Sequence, residues 1–164
     1  MSMWPHQSEV DQFYGDPRGD DGGPSKAWES ANIIRLKAPW QMVTAWDFKP
    51  VNGILVHKKC SDSLSKVFDQ IWQSAGQSQQ KINEWGMQLY AGGYNFRLMR
   101  GSTRLSMHSW GCAVDFDSAR NSFGDPHPNF QHIPAVLEAF KSQEWTWGGN
   151  WGKPDGMHWQ AANV

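Results

Sequence analysis

Two short segments of this chain must be brought together by whatever fold it adopts. The first reads Ser106-Met107-His108-Ser109-Trp110-Gly111-Cys112-Ala113-Val114-Asp115, and the second reads Asp155-Gly156-Met157-His158-Trp159. Between them they supply two histidines and two carboxylates. A hydrolytic zinc site takes three protein ligands from His, Asp or Glu and leaves its fourth position to water. His108, Asp115 and His158 form the natural trio for one zinc ion (Zn2+). Asp155 stands three residues before the last of them, close enough to touch a bound water without being a ligand.

The bulk properties narrow the setting. A chain of 164 residues has room for one domain with a hydrophobic core, expected over 1–164, with 1–30 partly irregular. Fifteen basic against sixteen acidic residues leave almost no net charge, so no nucleic-acid partner is expected. The 11 tryptophans imply that rigid aromatic surface either packs the core or lines a groove. No run of about 18 apolar residues is present, so no membrane anchor is expected. Met1 to His6 lacks a basic patch followed by an apolar stretch, so no secretory signal is expected either. Cys60 and Cys112 are too few for a disulfide scaffold. Two reduced thiols are the expectation, with a single bridge as the alternative.

Gly15 to Lys26, GDPRGDDGGPSK, has nothing to bury and reads as a mobile loop. From Ile33 to Val56, short apolar runs broken by Pro39 and Pro50 suggest irregular chain with one or two strands, one at Gly53 to Val56. Leu64, Val67, Phe68, Ile71 and Trp72 form a helical stripe, with Ser61 or Asp62 as its cap. A shorter helix is expected from Gln79 to Trp85, ending at Gly86. Tyr94 to Arg100 reads as a strand, and Ala113 to Phe116 as a short strand carrying Asp115. Pro134 opens a third helix that buries Val136, Leu137 and Phe140. Trp145 to Gly149 and Met157 to Gln160 read as two final strands. The expected class is α+β, a small antiparallel sheet flanked by helices.

A His and an Asp seven residues apart mean little alone. His158 carries more weight, because a histidine between Met157 and Trp159 on an apolar strand is costly to bury without a partner. A bond to a backbone carbonyl would also satisfy it. At this point the residues resemble a known family. Ser-x-His-x-x-Gly-x-Ala-x-Asp, followed about forty residues later by Asp-x-x-His, is similar to the zinc peptidases of the D-alanyl-D-alanine carboxypeptidase and L-alanyl-D-glutamate endopeptidase group. That group includes the VanX and VanY enzymes and many phage endolysins. Trp147-Gly148-Gly149-Asn150-Trp151 looks like the segment before the last ligand in the endolysin branch. Tyr94 to Arg97, Arg100 to Ser102, and His57-Lys58-Lys59 with the helix after it also resemble that branch. The likeness spans roughly residues 50 to 160, and weakly the first 50.

The resemblance implies that His108, Asp115 and His158 bind zinc and that Asp155 is the general base. Better-known members often carry Glu at that last place, so the shorter Asp must sit closer to the metal. The resemblance also implies an arginine that holds a substrate carboxylate or the developing oxyanion. Arg97 is the best match and Arg100 the runner-up. Ser106 either bonds near the metal or caps a turn. Asp117 either orients a ligand or is solvated. His127 and His132 read as surface residues, and Cys112 as a small core residue. Trp110, Trp151 and Trp159 are either cleft walls or core.

The implied substrate is the peptide stem of peptidoglycan, cut at L-Ala–D-Glu or at a D-Ala-containing bond. Three readings compete: a compact phage or prophage endolysin, a bacterial D,D-carboxypeptidase that trims stems, and a non-catalytic wall-binding module. The module is disfavoured, because structural zinc sites are usually closed by four protein ligands, mostly Cys. A lysostaphin-like peptidase would need a His-x-His pair, which this chain lacks. The expectation is a monomer made in the host cytoplasm that acts on the wall after release.

Overall fold

The computed structural model describes residues 2–164. Helix α1 (Val10–Tyr14) follows a 3-10 turn at Gln7–Glu9, and α2 (Lys26–Asn32) begins where Ser25 accepts a bond from Trp28 N. Strands β1 (Ile33–Leu36), β2 (Met42–Thr44), β3 (Pro50–Val51) and β4 (Ile54–His57) come next. Then follow α3 (Lys58–Ser74), α4 (Gln79–Trp85), β5 (Leu89–Gly92), β6 (Ala113–Phe116), α5 (Pro134–Ser142), β7 (Thr146–Trp147) and β8 (His158–Gln160). Strands β1 and β4 form an antiparallel pair. The other six form a mixed sheet in the order β3-β2-β5-β6-β8-β7, parallel only between β2 and β5. The α+β class is as the sequence implied. No helix among the described residues is long and apolar enough to cross a membrane.

The apolar stripe does lie on α3. Leu64, Val67, Phe68 and Ile71 are completely buried, and Trp72 packs at the edge. Burying each such side chain contributes about 1.5–3 kcal/mol. The cap is neither Ser61 nor Asp62. Strand β4 runs into α3 without a loop, so the helix starts at Lys58, and His57 Nδ1 accepts from Lys59 N at 3.0 Å. Helix α4 ends as expected at Gly86, which adopts the left-handed conformation. Pro134 is the first residue of α5, whose buried face holds Val136, Ala139 and Phe140, with Leu137 half-buried.

Tyr94 to Arg100 is not a strand. The chain leaves the sheet at Gly92, and its next backbone N–H groups make single bonds to different elements instead of a ladder: Tyr94 N to Leu55 O of β4 at 2.7 Å and Asn95 N to His108 O at 3.0 Å. The alternation read in the sequence is real at Tyr94 to Arg97, half-buried then exposed, but no strand pairs in register with it. Only Leu98 pairs, with Leu105. The stretch from Ile33 to Val56 holds four short strands, not one or two.

Tryptophan packs much of the core. Trp159 stacks on Phe140 at 4.4 Å, and Trp4, Trp28, Trp40 and Trp145 are buried with each indole N–H donating to an acceptor. Cys60 and Cys112 are free and buried. The N-terminal segment grips the C-terminal tail. Gln7 N donates to Asn163 O at 2.7 Å, Asn163 N to Pro5 O at 2.8 Å, and Tyr14 OH to Ala161 O at 2.7 Å.

Candidate metal centre

His108 sits on a 3-10 turn, Met107–Trp110, that ends at Gly111 with φ of 70°. A side chain at Gly111 would meet His57 N at 2.7 Å, so the turn must close on glycine. Two residues on, β6 begins and carries Asp115. In the antiparallel pairing, Asp115 stands directly opposite His158 of β8. Residues opposite one another in such a pair have Cβ atoms about 4.5–5.5 Å apart. Sheet register therefore joins the two sequence segments.

Asp115 lies between two imidazoles, with Oδ2 3.1 Å from His108 Nε2 and Oδ1 3.0 Å from His158 Nδ1. All three side chains are buried, and one donor atom from each lies within 4.8 Å of the others. His108 Nδ1 is 2.8 Å from the carbonyl of Gly93. A carbonyl only accepts, so that nitrogen carries the proton and Nε2 presents a lone pair. His108 Nε2 is accordingly buried without a hydrogen-bond partner. His158 Nε2 lies 2.9 Å from Gln160 Oε1, which places its proton there and leaves a lone pair on Nδ1. Two lone pairs and a carboxylate therefore converge on one point, an arrangement that fits a divalent cation. Two imidazoles and one carboxylate are donors that suit zinc.

The electrostatics express the same demand for positive charge. Burial opposes ionisation of Asp115, but the two imidazoles, in their protonated form, prevail and hold its carboxyl far below the usual carboxylate range, the place a bound cation would take. Burial likewise opposes a charge on His158, yet the Asp115 carboxylate beside Nδ1 raises the ring's affinity for a second proton.

Residues 100–161 match the family model described as D-alanyl-D-alanine carboxypeptidase. No curated protein and no solved structure matches the chain. The matched stretch carries His108, Asp115, His158 and Asp155, whereas Gly93 and Arg97 lie outside it.

The centre opens into a cavity of about 960 Å³. Asp155 lines it, half-buried, with Oδ2 4.0 Å from His158 Nδ1. Its backbone N–H donates to Gly148 O at 2.8 Å, and a side chain at Gly148 would collide with Asp155 O at 2.6 Å. The glycine after Trp147 thus sets the position of Asp155. Burial raises the pKa of Asp155, and the nearby charge of Asp115 adds to this, while His158, His108 and Arg97 pull the other way. A raised carboxylate is closer to the pKa a general base needs near neutral pH.

Arg97 and Arg100 both line the cavity and are exposed. Arg97 is held at its backbone by Ser109, whose Oγ accepts from Arg97 N at 3.1 Å and donates to Arg97 O at 3.0 Å. Arg100 lies over Phe123 at 5.1 Å. Ser106 lines the cavity and caps the 3-10 turn, accepting from His108 N at 3.3 Å. Asp117 is buried against Arg120 at 2.7 Å and does not line the cavity. His127 and His132 are exposed and outside the cavity. Trp110 and Trp151 are cavity walls, and Trp159 is core.

Sequence reasoning missed Gly93 and Gln160. Gln160 was detectable in principle, since it lies two residues beyond His158 on the same face of a strand. Gly93 was not, because only the tertiary fold aims its carbonyl.

Proposed function

We propose that this chain is a zinc-dependent peptidoglycan peptidase that cleaves the stem peptide, at L-Ala–D-Glu or at a D-Ala-containing bond, in the manner of a phage endolysin. The observation that carries the reading is the convergence of two imidazole lone pairs and Asp115 beside Asp155, inside the stretch that matches a peptidase family. His108 Nε2, an Asp115 oxygen and His158 Nδ1 would hold the metal. Zinc held by three protein ligands supplies an acidified water and a Lewis acid for the scissile carbonyl.

The chain's own groups do the rest. Asp155 accepts the proton of the attacking water and returns it to the leaving amine. Arg97, on the same cavity wall, holds a substrate carboxylate or the developing oxyanion, with Arg100 as the next candidate. Arg97, Arg100, Arg104 and Lys153 all line the cavity, and none forms an ion pair with a carboxylate among the described residues. That excess of positive charge suits a stem peptide with free carboxylates. The protein acts as a monomer on the wall after release from the cell that makes it.

A second reading, a carboxypeptidase that trims the stem terminus, is favoured by the description of the matched family model. Digestion of purified peptidoglycan with mass spectrometry of the products separates the two. New L-Ala carboxyl and D-Glu amino termini support the endopeptidase, and free D-Ala supports the carboxypeptidase. Intact stems with a fully zinc-loaded protein would rule out both.

A further inference from the structure

Gln160 is 1% exposed and lies on β8 two residues beyond His158, so both side chains share one face of the strand. Its Nε2 donates to Ala162 O at 3.2 Å, and its Oε1 lies 2.9 Å from His158 Nε2. A carbonyl cannot donate, so the amide nitrogen must face Ala162 and the amide oxygen must face the ring. The flipped amide would set oxygen against oxygen at one end. Ala162 is itself fixed by its neighbours, since Ala161 O accepts from Tyr14 OH and Asn163 N donates to Pro5 O. The orientation of Gln160 is thus held through the tail and the N-terminal segment.

The ring of His158 needs such a device. Its other nitrogen, Nδ1, lies 3.0 Å from Asp115 Oδ1. A neutral ring protonated at Nδ1 would donate to that carboxylate, a strong charge-assisted bond. That tautomer would put a proton where the metal belongs. We infer that Gln160 is a positioning residue of the metal centre, and that its amide oxygen holds the His158 proton on Nε2 and so keeps Nδ1 free as the ligand atom. The inference rests on reading His108, Asp115 and His158 as a metal centre. Hydrogen-bonded partners of this kind set both the tautomer and the orientation of a ligating histidine.

The test uses the full-length chain with Gln160→Met, which keeps the length but removes the acceptor, and Gln160→Glu, which keeps an acceptor. Two quantities are measured: zinc affinity by competition with a chromophoric chelator, and the protonated nitrogen of His158 by long-range 1H–15N correlation. The tautomer is read on metal-free protein at alkaline pH, where the ring is neutral. Wild type and Gln160→Glu should carry the proton on Nε2 and bind zinc similarly. Gln160→Met should move the proton toward Nδ1 and bind zinc about 10–100-fold more weakly. A wild-type tautomer and affinity in Gln160→Met would overturn the inference. So would a zinc loss in a folded Gln160→Glu variant that retains the Nε2 proton, an outcome readable even if the Met variant fails to fold. If wild type took up no zinc, the metal reading would fall, while the tautomer measurement would still decide the role of Gln160.

Discussion

Gly93 O takes the proton on His108 Nδ1, so the neutral ring directs its Nε2 lone pair at Asp115 Oδ2 across 3.1 Å. Two acceptors at that distance repel unless a proton or a metal ion lies between them. The folded chain therefore builds in a deficit of positive charge, and metal binding should contribute directly to its stability.

The first prediction is that protein purified without chelator carries about one zinc per molecule, as three suitable ligands imply. Zinc at about a hundredfold its dissociation constant should stabilise the fold by about 2.7 kcal/mol. His108→Ala and His158→Ala should lose the metal and the thermal shift that goes with it. His127→Ala should lose neither, since that ring is exposed and outside the cavity. Metal analysis and melting curves check this. A His158→Ala variant that keeps full zinc would remove that residue from the site.

The second prediction concerns pH. His57 is buried, and its Nε2 is bonded to Tyr14 O at 2.9 Å. Burial pushes its imidazole down to about 4, and Lys59 and Lys58 add to the effect. An unfolded histidine titrates near 6.5. The folded pKa is the lower one, so between these values the unfolded chain binds more protons and stability falls as pH falls. The contribution is complete above about 6.5 and gone below about 4, roughly 3 kcal/mol in all. Denaturant titrations of metal-free wild type and His57→Gln across this window should show a shallower slope for the variant. Equal slopes would mean that His57 is not the group responsible.

Which features were legible in the sequence follows from how locally they are determined. Gly86 ends α4 and Pro134 opens α5 because one residue's backbone chemistry decides each. The stripe of α3 was legible from its period, but its cap was not, because the cap is the last residue of a strand. Strands β2, of three residues, and β3, of two, take their identity from distant partners, including the parallel contact of β2 with β5. At the site, residue type marked out His108, Asp115, His158 and Asp155. Of the groups that aim them, Gln160 shares a strand face with His158, whereas Gly93 O depends on tertiary folding that no local pattern reveals.

A third prediction separates the arginines. Arg97 approaches Asp155 closely enough to lower its pKa, whereas Arg100 rests on Phe123. Arg97→Lys should lower turnover strongly with fold and zinc unchanged, because an ammonium cannot reproduce a forked contact. Arg100→Lys should have a smaller effect. Steady-state kinetics on a defined stem peptide, with circular dichroism and zinc content as controls, makes the comparison. The opposite ranking would move the role to Arg100.

The most direct measurement is the rate of wall hydrolysis by zinc-loaded Asp155→Asn. Asparagine keeps the shape of Asp155 and its place before His158, but it cannot take a proton. Hydrolysis should fall by about two to four orders of magnitude, the span of a lost general base, with zinc content unchanged. Asp155→Glu should keep partial activity. An Asp155→Asn protein that holds its zinc and still opens stem peptides at a near-normal rate would contradict the account.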